Sequence, residues 1–197
     1  MKTTTRLFGA LSILMLFFMT SCASTKITGE WKDPNMTAKQ FKNIMVIGVA
    51  KQPRDRRAYE DEFVRQLKAK GVMAIASRTL IPHDKMRDRA TIEQTVKSAG
   101  FDGVIITRVG DIKSRERDYY RTNMYDYYNS SFAITPYYRV GSSNQQKYGF
   151  ESNLYDATTE KLVFSLSSDT YAQDNINKRL GSYIKTVVNK LRQNNLL

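Results

Sequence analysis

The sequence predicts a single α/β domain of two or three layers built on a mixed sheet. Three observations carry this prediction. Apolar runs alternate with helical periods in the order β-α-β-α-β through residues 42–109, which is the order of parallel strands joined by crossover helices. Two alternating segments at residues 148–171 predict an antiparallel hairpin. A final amphipathic period predicts a C-terminal helix that covers one face of the sheet.

The first half of the domain is the more regular half. The apolar run at 42–50 is typical of a central strand covered on both faces. A helix is expected over about 56–70, because Tyr59, Phe63 and Leu67 recur at four-residue spacing and a glycine follows. The remaining expectations are a strand at 72–76, a loop at 78–85, a helix at about 87–99 closed by Gly100, and a strand at 104–109.

The second half lacks a long apolar period at first. Residues 119–155 hold nine of the twelve tyrosines, interspersed with Asn, Ser and Arg. We expect an extended insertion or an irregular hairpin at about 111–147. Strands are expected at 148–155 and 161–171, and a final helix is expected to be capped by Asp174 or Asn175.

The first 21 residues predict an export signal. Lys2 and Arg6 precede an apolar run at 7–19, which is the order of a secretory signal. Thirteen helical residues rise about 20 Å, short of the ~30 Å hydrocarbon core of a bilayer. We therefore expect export and cleavage rather than a permanent membrane span.

Met19-Thr20-Ser21-Cys22 resembles the lipobox of bacterial lipoproteins, although Met19 replaces the usual leucine. The resemblance implies that Cys22 carries a thioether-linked diacylglycerol and an N-acyl chain, and that these chains anchor the protein in a membrane. Ala23 stands where an inner-membrane retention aspartate would be, which favours the outer membrane and a domain that faces the periplasm. The alternative is cleavage after Ala23 and release of a soluble periplasmic protein.

The expected organisation has three parts. Residues 1–21 are a lipoprotein signal peptide, residues 22–41 are the lipid anchor and a tether, and residues 42–197 are the α/β domain. Trp31, the only tryptophan, is expected to pack on the edge of the domain rather than to stack on a ligand.

The chain is strongly basic. Its formal net charge is +12, and after removal of the signal 29 basic residues face 19 acidic ones, which leaves +10. In a cytosolic protein this surplus would suggest nucleic acid, but export argues against that partner. An envelope protein, an anionic glycan or anionic lipid fits the compartment. A basic surface without a dedicated ligand is an equally weighted alternative.

No motif predicts catalysis, a metal or a cofactor. His83 is the only histidine and is expected to be an ordinary surface residue of a loop, while lipidation would remove the only thiol, that of Cys22. The glycine and serine spacings match neither a nucleophile elbow nor a nucleotide-binding loop. We therefore predict a non-catalytic protein, with an envelope hydrolase or transferase as the alternative. The carboxylates considered for acid–base roles are Asp61, Glu62, Asp102 and Asp111.

The tyrosine-rich stretch is the candidate binding surface. Tyrosine offers a rigid contact area with a polar tip and is enriched at interfaces, and with arginine it could hold a glycan or an acidic protein. Equally, the rings could pair across a hairpin and cover the sheet. The candidate residues are Tyr119, Tyr120, Tyr125, Tyr127, Tyr128, Tyr137, Tyr138, Arg117, Arg121 and Arg139.

Four segments resemble a widespread family of uncharacterised bacterial lipoproteins: Ile44–Lys51, Arg57–Phe63, Gly100–Ile106 and Asn153–Val163. More remotely, the order of elements is similar to the α/β domain in the amino-terminal half of TolB, to the curli-secretion lipoprotein and to the lipoprotein activator of penicillin-binding proteins. The resemblance implies a binding or assembly module of the periplasm. A subunit of an envelope secretion or transport complex is the alternative.

Overall fold

A computed structural model describes residues 25–36, 39–109, 123–132, 138–140, 146–171 and 176–197. Within these ranges lie the strands β1 (Thr25–Lys32), β2 (Asn43–Val49), β3 (Met73–Ala76), β4 (Gly103–Val109), β5 (Tyr138–Val140), β6 (Gln146–Asp156) and β7 (Leu162–Tyr171). The helices are α1 (Pro53–Lys68), α2 (Arg89–Ser98), α3 (Met124–Ser131) and α4 (Ile176–Gln193). The strands form one sheet in the order β1-β7-β6-β4-β2-β3, and β5 pairs with β6.

The mixed sheet confirms the predicted α/β class. β2 is parallel to both β3 and β4, whereas β6 and β7 form an antiparallel hairpin whose other strand neighbours are also antiparallel. β3 and β4 lie on opposite sides of β2, so the right-handed crossovers through α1 and α2 place these helices on opposite faces of the sheet.

The domain has three layers, because both faces of the sheet are covered. On the α1/α4 face, Phe63 and Ile184 pack over buried strand residues such as Ile105. On the α2/α3 face, Ile92 packs with strand residues such as Ile106. The large apolar side chains that stay exposed among the described residues lie on or beside the edge strand β3, and they are Met73, Ile75 and Leu80.

The helix ends follow local chemistry. α1 begins at Pro53, three residues before the expected start, because proline has no N–H to leave unpaired and suits the first helical position. It ends at Lys68, and Gly71 follows with a φ of 80°, the left-handed conformation expected after a helix. α2 begins after Asp88, whose carboxylate accepts a hydrogen bond from the Ala90 amide at 3.1 Å.

β1 lies where the sequence analysis expected a tether. Seven of its eight residues pair antiparallel with β7, and the strand closes one edge of the sheet. Alternate residues turn inwards, and a register shift between Ile27 and Gly29 places Ile27 against the α1/α4 core and Trp31 against the α2/α3 core. Trp31 therefore packs on the domain edge as expected. The tether interpretation is wrong for residues 25–32, because their two-residue alternation is too short to indicate a strand without its partner β7.

α3 corrects the expectation of an irregular insertion. Residues Met124, Tyr127, Tyr128 and Ser131 are buried at helical spacing. Asn123 caps this helix by accepting a hydrogen bond from the Asp126 amide at 2.9 Å. The prediction failed here because the helix has only eight residues, too few for a sustained period.

α4 covers the sheet as predicted, with Leu180, Ile184 and Val188 buried. The proposed caps Asp174 and Asn175 lie outside the described residues. Of the helices in the described ranges, none is both long and apolar enough to cross a membrane.

Asp156 organises the turn between β6 and β7. Its carboxylate accepts hydrogen bonds from the amides of Thr158 at 2.8 Å and Thr159 at 3.0 Å, and from Lys39 Nζ at 2.5 Å. Burial acts to raise the pKa of Asp156, but the hydrogen bonds from Lys39 and the two amides lower that pKa below its ordinary value of 3.8. The ionised carboxylate is therefore preferred in the folded state.

Asp156→Asn is expected to lower the free energy of unfolding by about 1–2 kcal/mol at neutral pH, because charge-assisted hydrogen bonds are lost. The depressed folded-state pKa stabilises the fold above about pH 3.8, and this contribution is lost as the pH falls through the folded-state pKa. Urea denaturation near neutral pH and in acid should therefore show less acid sensitivity in the variant. Lys39→Met keeps the hydrogen bonds from the amides of Thr158 and Thr159 to Asp156, so its acid sensitivity should lie between those of the wild type and Asp156→Asn. Equal acid sensitivity of wild type and Asp156→Asn would contradict the assignment.

Candidate functional site

A cavity of about 610 Å³ lies beyond the carboxyl ends of β2 and β4. β2 leads into α1 on one face of the sheet, whereas the described chain after β4 resumes in α3 on the other face. Chain segments that leave adjacent parallel strands towards opposite faces open a crevice, and ligands of open α/β sheets bind there. The lining combines the ends of these strands with β6, the first turns of α1 and α4, the end of α3 and the segment 83–87.

Gly48 allows α1 to approach the end of β2. A Cβ atom at this position would lie 2.8 Å from Cδ1 of Tyr59, closer than packing permits. The Gly48 amide also donates to Glu60 Oε1 at 3.0 Å. The close contact brings the Tyr59 ring into the cavity wall.

A buried cluster, here called the Glu60 cluster, consists of Glu60, Arg56, Ser77 and the backbone amides of Gly48 and Arg78. Glu60 Oε1 accepts from Arg56 Nε at 2.9 Å and from Ser77 Oγ at 2.7 Å, and its Oε2 accepts from the Arg78 amide at 2.8 Å. Arg56 also donates to Ser77 Oγ at 2.8 Å and to the carbonyl of Ile81 at 3.0 Å. The cluster therefore joins α1 to the chain that leads into the cavity segment 83–87.

A second buried ion pair lies behind the cavity on the α2/α3 face. Arg108 Nη2 donates to Glu151 Oε2 at 3.0 Å, and both side chains are at most 3% exposed. Glu151 Oε1 accepts from the Tyr127 hydroxyl at 2.7 Å and from Asn153 Nδ2 at 3.1 Å. The Arg108 guanidinium also lies 5.0 Å from the centre of the Tyr127 ring. Since Arg108 lines the cavity, this pair places a compensated charge in its wall.

Buried hydroxyl groups connect the cavity wall to the α1/α4 core. The Tyr59 hydroxyl donates to Thr107 Oγ1 at 2.5 Å, and Ser152 Oγ lies within hydrogen-bond distance of Thr107 Oγ1 and the Tyr183 hydroxyl. Burial raises the pKa of Tyr59 and of Tyr183 well above the ordinary tyrosine value. These hydroxyls stay protonated at neutral pH and act as hydrogen-bonding groups of the fold.

The rim of the cavity carries charges of both signs. Lys51, Asp84 and Arg87 are exposed, and the Arg87 guanidinium lies 5.5 Å from the centre of the Phe132 ring. His83 lies in a short 3₁₀ turn, and its Nδ1 finds no hydrogen-bond partner among the described residues. The walls are mainly apolar. Apolar walls with a few charged groups suit a small molecule that has an apolar body and an ionised group.

The structure corrects the predicted tyrosine surface at three positions. Tyr125, Tyr127 and Tyr128 are at most 2% exposed and pack from α3 into the core of the α2/α3 face. They cover the sheet, although from a helix rather than across a hairpin. Burial, with smaller contributions from Glu160 and Glu93, raises the pKa of Tyr125 to about 12.

The other candidates lie where the structure gives no side-chain account. Tyr138 and Arg139 belong to β5, whose side chains are not described. The candidates outside the described residues are Cys22, Arg117, Tyr119, Tyr120, Arg121 and Tyr137.

The carboxylates considered for acid–base roles have structural partners instead. Asp61 and Glu62 form ion pairs with Arg78 and Arg65 on the surface of α1. The Asp102 carboxylate accepts from the amides at 42 and 43, at 2.7 and 3.0 Å. Asp111 lies outside the described residues. Within the described ranges, no group of three His, Cys, Asp or Glu side chains is arranged to hold a metal ion.

The cavity itself was missed by the sequence analysis. His83, expected to be an ordinary surface residue of a loop, is half-buried and lines the cavity. A usable signal was present: in an open α/β sheet the residues after adjacent parallel strands lie together at one edge. Applied to residues 49–52 and 107–109, this rule indicates the edge of the sheet at which the cavity lies.

Comparison with known proteins leaves the family open. No family model matches the chain, and no curated protein is significantly similar to it in sequence. Solved structures that resemble it include the PelC dodecamer from Paraburkholderia phytofirmans, at 14% identity and a TM-score of 0.49, covering 85% of this chain and 96% of that one. Lipoprotein GNA1162 from Neisseria meningitidis is also 14% identical, with a TM-score of 0.43, covering 77% of this chain and 99% of that one.

These similarities are remote. At such identities and TM-scores they carry no argument about what this chain binds or does. The expected similarity to TolB, to the curli-secretion lipoprotein and to the activator of penicillin-binding proteins is not confirmed by them.

Proposed function

We propose that this protein is a non-catalytic binding module, anchored in the outer membrane through Cys22 and facing the periplasm, that holds a small molecule in the cavity at the carboxyl ends of β2 and β4. The observation that carries the proposal is the cavity of about 610 Å³ beyond the carboxyl ends of these two strands. Its volume and its mainly apolar lining are those of small-molecule sites.

A binding role agrees with the hydrogen bonds of the buried carboxylates near the cavity. Glu60 and Glu151 are each held by several hydrogen bonds to other parts of the fold. The hydroxyls of Tyr59 and Tyr127 are kept protonated by burial, with further contributions from nearby charges. These groups stabilise the walls of the cavity. The exposed charges at its rim are then the groups that could meet a ligand.

Ala50→Trp is expected to abolish binding, because Ala50 lines the cavity and an indole there would occupy space that the ligand needs. The probe is octanoate, a carboxylate with a short apolar tail. NMR of the full mature chain in nanodiscs should show shifts of amides such as Gly48 and Val109 on addition of octanoate, and no such shifts in the variant.

Ala69→Trp is the matched control, because Ala69 is exposed at the far end of α1. It should bind octanoate as the wild type does. Shifts spread evenly over the domain, or equal shifts in Ala50→Trp, would contradict binding in the cavity.

A further inference from the structure

The amino end of β1 and the cavity lie at the same end of the strands, the edge of the sheet that the carboxyl ends of β2 and β4 form. Thr25 pairs with Thr170 near the carboxyl end of β7. β7 is antiparallel to β6, and β6 is antiparallel to β4, with Val109 opposite Phe150. β7 and β4 therefore run in the same direction, and both end at the edge of the sheet where the cavity lies. The chain enters the domain at that edge.

Thr25 is a fixed part of the domain. Its side chain is buried, and Oγ1 lies 3.2 Å from Thr170 Oγ1 and 3.5 Å from Ser182 Oγ. Ser182 belongs to the turn of α4 that also contributes Leu180 to the cavity lining. The entry point of the chain is thus held beside one wall of the cavity.

The distance from Cys22 to Thr25 is short. Only Ala23 and Ser24 intervene, and three residue steps span at most about 11 Å. A Cys22 whose acyl chains lie in a bilayer therefore keeps Thr25 close to the lipid head groups. A free tether over residues 22–41 would have left the orientation open, but β1 removes most of its length.

The exposed charges at this edge and the apolar lining of the cavity are compatible with a lipid membrane. Among the described residues, the exposed cations at or beside the ends of elements on this edge include Lys26, Lys51, Arg54, Arg87 and Lys178. Among the described residues, the acidic side chains at this edge include Asp55, Asp84, Asp88 and Asp169. Each basic residue close to an anionic membrane surface strengthens its attraction to that surface. Lys51 and Arg87 line the cavity, and its mainly apolar walls are suited to an acyl chain.

We propose that the cavity opens towards the membrane that anchors the protein and takes from it an anionic lipid, with the acyl chain in the cavity and the head group beside Lys51 and Arg87 at its rim. This inference rests on the proposed anchor at Cys22 and names the ligand class of the proposed binding module.

The orientation is tested first, with the acylated full chain in phosphatidylcholine vesicles. Because lipidation removes the native thiol, a dye can be attached selectively to Arg54→Cys at the cavity edge or to Lys161→Cys at the opposite edge, both exposed positions. Spin-labelled lipid head groups should quench the dye at position 54 strongly and the dye at position 161 weakly. Equal quenching, or the reverse order, would overturn the inference.

The ligand is tested with phosphatidylglycerol that carries a photoactivatable acyl chain, added to the same vesicles. Crosslinks should fall on peptides that contain Val49 and Phe132, which line the cavity. Ala50→Trp should abolish them, Ala69→Trp should keep them, and Lys51→Gln should lower their yield about fivefold. Equal crosslinking by photoactivatable phosphatidylcholine, or crosslinks outside the cavity alone, would overturn the anionic-lipid proposal.

Cys22→Ala separates the two proposals. If the Cys22→Ala protein still fractionates with membranes, Cys22 is not the anchor, and the proposed function is contradicted in its present form. An anchored wild type that binds octanoate in the cavity but fails the quenching or crosslinking test would keep the proposed function and overturn only the membrane-facing, lipid-binding inference.

Discussion

Glu60→Ala is expected to lower the free energy of unfolding by about 3–5 kcal/mol, because it leaves the buried Arg56 guanidinium without its carboxylate. Glu60 and Arg56 are at most 2% exposed and lie 2.9 Å apart. The same substitution removes the acceptor for the amides of Gly48 and Arg78. Urea denaturation at neutral pH measures the loss.

Asp61→Ala is the matched control, since Asp61 is the next residue of α1 and pairs with Arg78 on the surface. An exposed pair contributes at most about 1 kcal/mol. The double replacement Arg56→Met with Glu60→Met should recover only part of the loss, because two backbone amides still lack an acceptor. Equal losses in Glu60→Ala and Asp61→Ala would contradict the role of the Glu60 cluster.

The parallel half of the fold was predictable because its signals are local and repeated. β2 and β4 are continuous apolar runs, and Tyr59, Phe63 and Leu67 mark the buried side of α1. Such runs specify strands and helices without knowledge of their partners. The predicted start of α1 was three residues too late, because proline is favoured at the first position of a helix and does not break the helix there.

The elements that were missed depend on distant partners. β1 is a strand because β7, well over a hundred residues away in the sequence, offers its edge. α3 is short, and its burial depends on contacts such as that of the Tyr128 hydroxyl with the carbonyl of Met86. Composition alone does not distinguish a tyrosine with such a buried partner from one on a binding surface.

The candidate site was hidden for the same reason. Arg56 and Glu60 are four residues apart on a helix, a spacing typical of a solvated surface pair, yet the structure buries both. Arg108 and Glu151 are adjacent only through the pairing of β4 with β6. Arg108 lines the cavity, and its partner is known only from the strand pairing. The sequence could therefore indicate the sheet edge but not the cavity.

Glu151→Ala is expected to lower the free energy of unfolding by about 3–5 kcal/mol, because the buried Arg108 guanidinium loses its carboxylate. Arg108 also lines the cavity. The substitution should therefore change octanoate binding as well as stability. Denaturation and the octanoate titration, measured on the same preparation, check both expectations.

Glu93→Ala is the matched control, because Glu93 pairs with Arg89 at 2.5 Å on the partly exposed surface of α2 and should cost at most about 1 kcal/mol. The double replacement Arg108→Leu with Glu151→Leu is the more informative variant. Backbone amides donate to Glu60 in the Glu60 cluster, whereas the further hydrogen bonds described for Glu151 come from the side chains of Tyr127 and Asn153. Buried ion pairs replaced by apolar residues often regain stability. Recovered stability with altered octanoate binding would assign the pair to the cavity, whereas recovery of both would leave it no role in binding.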